Sequence, residues 1–220
     1  MKSYEKLLLE NKAWAQEKLG VNDKYFSDMA KGQTPDFLWI GCSDSRIPAN
    51  EITNSEPGDI FVHRNIANLV IHTDFNMLSV LQYAVEELEV NHIIICGHYG
   101  CGGIKTAMDH QHHGLLNKWL RNIKDVYRLH ENELNTIEDE DARANKLSEF
   151  NVKEQILNLA KTSIIQHSWA VDKRPTLHGW IYDMNSGLIK DIVSMDQSSD
   201  LDDIYRFNFK QRGEGHYGFY

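Results

Sequence analysis

Apolar residues in this chain occur in two kinds of run. Phe37-Leu38-Trp39-Ile40-Gly41 and His92-Ile93-Ile94-Ile95-Cys96-Gly97 are continuous and too short for helices; Pro35 precedes the first and Gly97 breaks the second. Runs of this kind predict strands buried on both faces. Ile60-Phe61-Val62-His63, after the turn Glu56-Pro57-Gly58-Asp59, predicts a weaker strand. Between Thr73 and Leu88 the pattern changes: Leu78, Leu81, Val85 and Leu88 recur at helical spacing. Residues 3–19 carry Leu7, Leu8 and Trp14 among charges, which predicts an amphipathic helix ended by Gly20. From 115 to 172 helical periodicity dominates, with Leu116, Leu120, Ile123 and Tyr127 on one face. The acidic run Glu138-Asp139-Glu140-Asp141 reads as a solvated loop between helices. Thr176–Tyr182 predicts a late strand, which Asn185-Ser186-Gly187 turns into Leu188–Val193 as a hairpin.

Strand, strand, helix, strand in that order, with strands apolar on both faces, predicts an α/β fold. Its sheet is central, mostly parallel, mixed through the late hairpin, and flanked by helices. No repeat or Gly/Ser linker interrupts the chain, so one domain is expected over 1–220. Within it, 1–32 form a helical arm, 33–193 the α/β core and 194–220 a C-terminal tail.

Composition narrows the function. The 220 residues include 23 Lys and Arg against 32 Asp and Glu, a formal charge of −9. Nucleic acid and anionic membrane both select a basic face, so neither is expected as a partner. A mean hydropathy of −0.49 and the lack of a long apolar run exclude a transmembrane helix. Met1-Lys2-Ser3-Tyr4-Glu5 has no signal-peptide character, so the cytoplasm is the expected compartment. There, three cysteines are metal ligands, nucleophiles or core, not a disulfide framework.

Two of those cysteines stand where chemistry is expected. Cys42 follows the strand ending at Gly41; His98 and Cys101 follow the strand ending at Gly97. In open α/β sheets the carboxyl ends of strands form the functional crevice, so these groups can meet there. Two thiolates and an imidazole suit Zn²⁺, and three protein ligands leave a fourth position open, as in catalytic zinc sites. Asp44 can fill that position, or be held off it by the planar fork of Arg46. A closed Cys₂HisAsp structural site and a Cys42–Cys101 redox pair are the alternatives; the second is weakened by the absence of a Cys-x-x-Cys motif. A zinc deaminase is disfavoured because the Pro-Cys-x-x-Cys half of its signature is missing. Cys96 is expected in the core.

The segments Cys42-Ser43-Asp44-Ser45-Arg46 and His98-Tyr99-Gly100-Cys101-Gly102-Gly103 closely resemble those of the β-class carbonic anhydrases. The likeness continues through Glu56-Pro57-Gly58-Asp59, Arg64-Asn65-Ile66-Ala67-Asn68 and His178-Gly179-Trp180. The resemblance implies reversible hydration of CO₂ to bicarbonate and a proton, with one Zn²⁺ per chain on Cys42, His98 and Cys101. It implies that the Asp44–Arg46 dyad gates the fourth position and accepts a hydrogen bond there. It implies a substrate pocket at a dimer interface, from Gln33, Phe61, Ile66, Tyr83 and Gly102, and self-association as a homodimer or dimer of dimers, with 3–19 as a candidate arm. In a subset of the family Asp44 would bind the zinc in a closed form favoured at low pH. Bicarbonate stabilises that form in a second pocket, matched here by Trp39, Arg64 and Tyr182. His110, His112 and His113 are a candidate proton relay, with an exposed loop as the plainer reading. The rivals are a carbon disulfide or carbonyl sulfide hydrolase on the same fold and a silent protein retaining structural zinc.

Overall fold

The computed structural model describes residues 2–209, which fall into two compact units divided between Thr34 and Pro35. In the first, α1 (Ser3–Val21) and α2 (Tyr25–Met29) are joined by Trp14, whose ring meets Tyr25 and Phe26 edge-on at 6.4 and 5.5 Å. Helix α1 does not stop at Gly20 but continues to Val21, because Asn22 closes it by donating its N–H to the Lys18 carbonyl. None of its residues is buried, and Leu7, Leu8 and Leu9 are exposed. Gln33 belongs to this unit and is exposed.

The second unit is built on five strands: β1 (Phe37–Cys42), β2 (Ile60–Asn65), β3 (His92–His98), β4 (Thr176–Asp183) and β5 (Leu188–Met195). Their order is β2-β1-β3-β4-β5, with all pairs parallel except the β4–β5 hairpin. Side chains alternate between faces along each strand. Leu38, Ile40, Ile93, Ile95, Leu177 and Ile181 point to one face, where Met77, Leu81 and Ile156 pack on them. Trp39, Ile94 and Cys96 point to the other, with Ala49 from α3 (Ala49–Thr53). This double burial explains why β1 and β3 read as unbroken apolar runs.

Helix α4 (Phe75–Gln82) starts later than the periodicity suggests, because the Asp74 carboxylate caps it by accepting from Asn76 and Met77. It widens at Tyr83–Glu87 into a π turn. That turn buries Ala84 and Val85 together and leaves Tyr83 exposed, which a uniform period of 3.6 does not anticipate.

Helices α5 (Gly102–Met108), α6 (Leu116–Leu129), α7 (Glu131–Leu134) and α8 (Glu140–Ala160) enclose a further apolar cluster around Leu120, Ile123, Leu134 and Leu147, which Cys42 and Cys101 join. Helix α9 (Ser163–Val171) instead buries Ile165 and Trp169 in the cluster around Met77 and Leu81. The acidic run is exposed, as expected, but only Glu138 and Asp139 lie in the connection between helices. Asp139 is the N-cap of α8, accepting from the Ala142 N–H at 2.7 Å, and Glu140 and Asp141 form its first turn. Carboxylates there complement the unpaired N–H groups and positive end of the helix dipole. Of the expected tail 194–220, residues 210–220 lie outside the described residues.

Candidate metal centre

Three ligand atoms converge where β1 and β3 end. Cys42 closes β1, His98 closes β3, and Cys101 is the N-cap of α5. All three residues are buried, and their ligand atoms lie within 4.8 Å of one another. The two sulfurs are 3.9 Å apart. Two Zn–S bonds of about 2.3 Å at the tetrahedral angle require about 3.8 Å. His98 Nδ1 donates to the Tyr99 carbonyl at 3.0 Å, which fixes the tautomer and leaves Nε2 as the free lone pair. That Nε2 is buried with no hydrogen-bond partner. A buried, unsatisfied imidazole nitrogen facing two thiols is costly on its own and is satisfied by a cation.

The sulfurs are prepared for negative charge. S–H donation from Cys101, with the backbone N–H groups of Asp44 and Ala67, pulls the Cys42 thiol well below its ordinary range against the effect of burial. The same contact with Cys42, together with burial, pushes Cys101 up. A dication favours the thiolate form of both, so binding it displaces thiol protons. Backbone N–H groups of Gly103 and Ile104 also reach Cys101. At Cys96 burial outweighs the one backbone hydrogen bond, from Tyr182, that lowers it, and raises the thiol to about 12, in keeping with a core thiol.

Asp44 stands at the edge of the cluster, with Oδ2 3.9 Å from His98 Nε2. Arg46 grips it bidentately, Nε to Oδ1 at 2.9 Å and Nη2 to Oδ2 at 2.6 Å, and its backbone N–H adds a third bond at 3.0 Å. These bonds hold the carboxyl far below the usual carboxylate range. Arg64 braces the same loop from β2, donating Nε to the Cys42 carbonyl at 2.9 Å and Nη2 to the Asp44 carbonyl.

The remaining expected site residues are placed as follows. Phe61 and Tyr83 meet, ring centroids 5.8 Å apart, and Ile66 lies over Gly103, where a Cβ would stand 2.8 Å from its Cγ2. Gly102 is exposed at the start of α5. A cleft of about 760 Å³ lined by Ile66, Ile71, Leu116 and Trp119 shares only Ile66 with the expected pocket and none of the ligands. Trp39 and Tyr182 belong to one cluster on the sheet face that Arg64 shares by register. The Trp39 indole nitrogen lies directly over Gly41, the register partner of Arg64. His110 and His112 are exposed, while His113 pairs with Asp109 at 2.9 Å. Sequence reasoning missed the brace role of Arg64, and the two α8 side chains, Asn145 and Glu149, that reach the His98–Cys101 loop. None of these contacts has a local signal in the sequence.

A Cys₂His centre at the point where the sheet's connections diverge, with a carboxylate held beside its fourth position, defines a mononuclear zinc enzyme on an open α/β sheet. Residues 37–189 match the family described as carbonic anhydrase. A carbonic anhydrase of Emericella nidulans is 48% identical over 190 residues, covering 86% of this chain and 83% of that protein. Among solved structures, a tetrameric β-carbonic anhydrase of Sordaria macrospora superposes with a TM-score of 0.85 at 40% identity, over 88% of this chain and 98% of that one. The Coccomyxa β-carbonic anhydrase bound to acetazolamide gives 0.84 at 34% identity, over 89% of each chain. The chain belongs to the carbonic anhydrase family, in its β class. It is accordingly a zinc enzyme of carbon dioxide hydration.

Proposed function

We propose that Cys42, His98 and Cys101 hold the zinc in an open form and that Asp44 and Arg46 manage its fourth position. The observation that carries this is the bidentate Arg46 grip, which keeps Asp44 facing the cluster yet off it, at 3.9 Å. Zinc, when bound, supplies Lewis-acid activation of water for attack on carbon. The protein does the rest. Asp44, ionised and acceptor-only, takes a hydrogen bond from the attacking water and orients it. Phe61, Ile66 and Tyr83 offer CO₂ an apolar surface, as an uncharged linear molecule requires, beside the backbone at Gly102. The exposure of Ile66 (40%) and Tyr83 (47%) supports a pocket completed by a second copy of this chain, and hence a dimer or dimer of dimers. Stopped-flow CO₂ hydration, compared with zinc content, tests the reading. One zinc per chain without hydration refutes it.

We also assign Trp39, Arg64 and Tyr182 to a regulatory bicarbonate pocket. An indole N–H over a glycine, with a guanidinium and a phenol on the same sheet face, offers donors for a small planar anion. An anion that drew Arg64 from the Cys42 and Asp44 carbonyls would loosen the loop and free Asp44 from Arg46, so that Asp44 could serve as a fourth ligand. The shift equals the anion's difference in affinity between the two forms. In such a closed form Asp44 would serve as a fourth ligand beside Cys42, His98 and Cys101, and the form would be favoured at low pH. Tyr182→Phe is the clean variant, since Arg64 also braces the ligand loop. It should weaken bicarbonate inhibition and leave zinc content unchanged; unchanged inhibition sinks the assignment.

A further inference from the structure

The loop between two of the ligands is poor in intrinsic rigidity. It contains Gly100 at φ +66° and is followed by Gly102 and Gly103. Its order comes from α8, which presents Asn145 and Glu149 one turn apart. Asn145 Oδ1 accepts the Gly100 N–H at 2.9 Å, and Glu149 Oε1 accepts the Tyr99 hydroxyl at 2.6 Å. Tyr99 is thereby fixed at three points. Its N–H donates to the Tyr182 carbonyl at 3.1 Å, its carbonyl accepts from His98 Nδ1, and its hydroxyl is held by Glu149. Glu149 is itself anchored by Lys190 of β5 at 3.2 Å and by Lys146 at 3.7 Å. Burial works against its charge, but the Tyr99 hydroxyl and the two ammonium groups outweigh it and hold the carboxyl below its ordinary range. In this bond the phenol donates and the carboxylate, which has only acceptors, receives.

We propose that Glu149 is a positioning residue of the metal centre. Acting through Tyr99, it fixes the carbonyl that keeps His98 in its Nδ1–H tautomer and aims Nε2 at the ion. It is one bond further out than the groups usually credited with orienting a metal-bound imidazole, and it ties the ligand to β5 and α8 at once. The inference deepens the zinc enzyme reading, on which it rests.

The test compares Glu149→Ala, Glu149→Gln and Tyr99→Phe with the unaltered chain. It reads zinc release to an excess of chelator, and the His98 tautomer by nitrogen NMR in the metal-free protein. Glu149→Ala and Tyr99→Phe should release zinc about tenfold faster and show mixed tautomers. Glu149→Gln retains an acceptor for the phenol and should stay within about twofold of the parent. The proposal is overturned if Glu149→Ala and Tyr99→Phe lower thermal stability while zinc release and tautomer match the parent. It is equally overturned if the Gln variant behaves like the Ala variant, since the acceptor is then irrelevant. A parent chain that fails to bind zinc stoichiometrically refutes the broader reading before any variant is compared.

Discussion

Asn151→Leu isolates a buried polar ladder that supports the metal centre without touching it. Asn151 is 1% exposed on α8; its Nδ2 donates to the Ala67 carbonyl at 2.9 Å, and its Oδ1 accepts from Gln155 Nε2 at 3.0 Å. Gln155 Oε1 in turn accepts the Val70 N–H at 2.8 Å, and Asn158 reaches the Val70 carbonyl at 3.1 Å. Three side chains on one helix thus hold a segment in which Ala67 and Asn68 sit at φ +64° and +50°, a conformation non-glycine residues avoid. Leucine keeps the branched heavy-atom shape of asparagine, though its methyl groups are bulkier, and it leaves the Ala67 carbonyl and the Gln155 amide unpaired. Each unmet group costs about 1–3 kcal/mol, and partial re-aiming of Gln155 brings the expected total to about 3 kcal/mol. For a chain of this size that is a drop of about 6–12 °C in Tm. Because the Ala67 N–H also reaches the Cys42 sulfur, zinc should be released faster as well. Urea unfolding of the zinc-loaded variant at fixed protein concentration measures the loss. A change below about 1 kcal/mol would show that water or backbone relaxation satisfies these groups, and the reasoning fails.

Other perturbations read different parts of the molecule. Cys101→Ala should abolish stoichiometric zinc and activity together, measured by metal analysis and CO₂ hydration, since two protein ligands do not retain the ion. Gly97→Ala places a Cβ 2.7 Å from Val152 Cγ2 and 3.1 Å from Ile181 Cδ1; it should cost about 1–3 kcal/mol and displace the adjacent His98, so zinc affinity falls too. Gly179→Ala meets Val193 at 2.5 Å and Val152 at 2.9 Å, yet stands away from the ligands; a similar loss of stability with zinc affinity retained distinguishes the two. His178, lowered by burial and then by neighbouring His92, binds a proton more readily unfolded than folded. Stability should therefore fall as pH drops from about 6.5, and His178→Gln should flatten that dependence in denaturant midpoints.

The ligands were legible because each lies next to a run whose burial is unmistakable. Phe37–Gly41 and His92–Gly97 end in the residues that carry them, and the hairpin at Asn185-Ser186-Gly187 declared itself by turn chemistry. What escaped was set by contacts between distant segments. The π turn at Tyr83 follows from packing Ala84 and Val85 together, and nothing in the local period records it. The acidic run is solvated as expected, but charge says nothing of backbone path, and Asp139 caps a helix of 21 residues that Glu140 and Asp141 begin. Arg64, Asn145 and Glu149 bond to backbone or to side chains far along the chain, 22, 45 and 50 residues away, where periodicity is silent.

The separation of the ligands governs how metal and folding are linked. His98 and Cys101 are neighbours in sequence, so an unfolded chain can offer both to a cation at once. Cys42 lies 59 residues before Cys101 and joins them only when that loop closes and β1 pairs with β3. A nascent or denatured chain is therefore a two-ligand trap of low affinity, and the folded chain a three-ligand site. The difference in affinity is free energy added to folding, growing with the free concentration of the ion. The melting temperature of this protein is thus a function of ambient zinc, and a strong chelator acts on it as a mild denaturant.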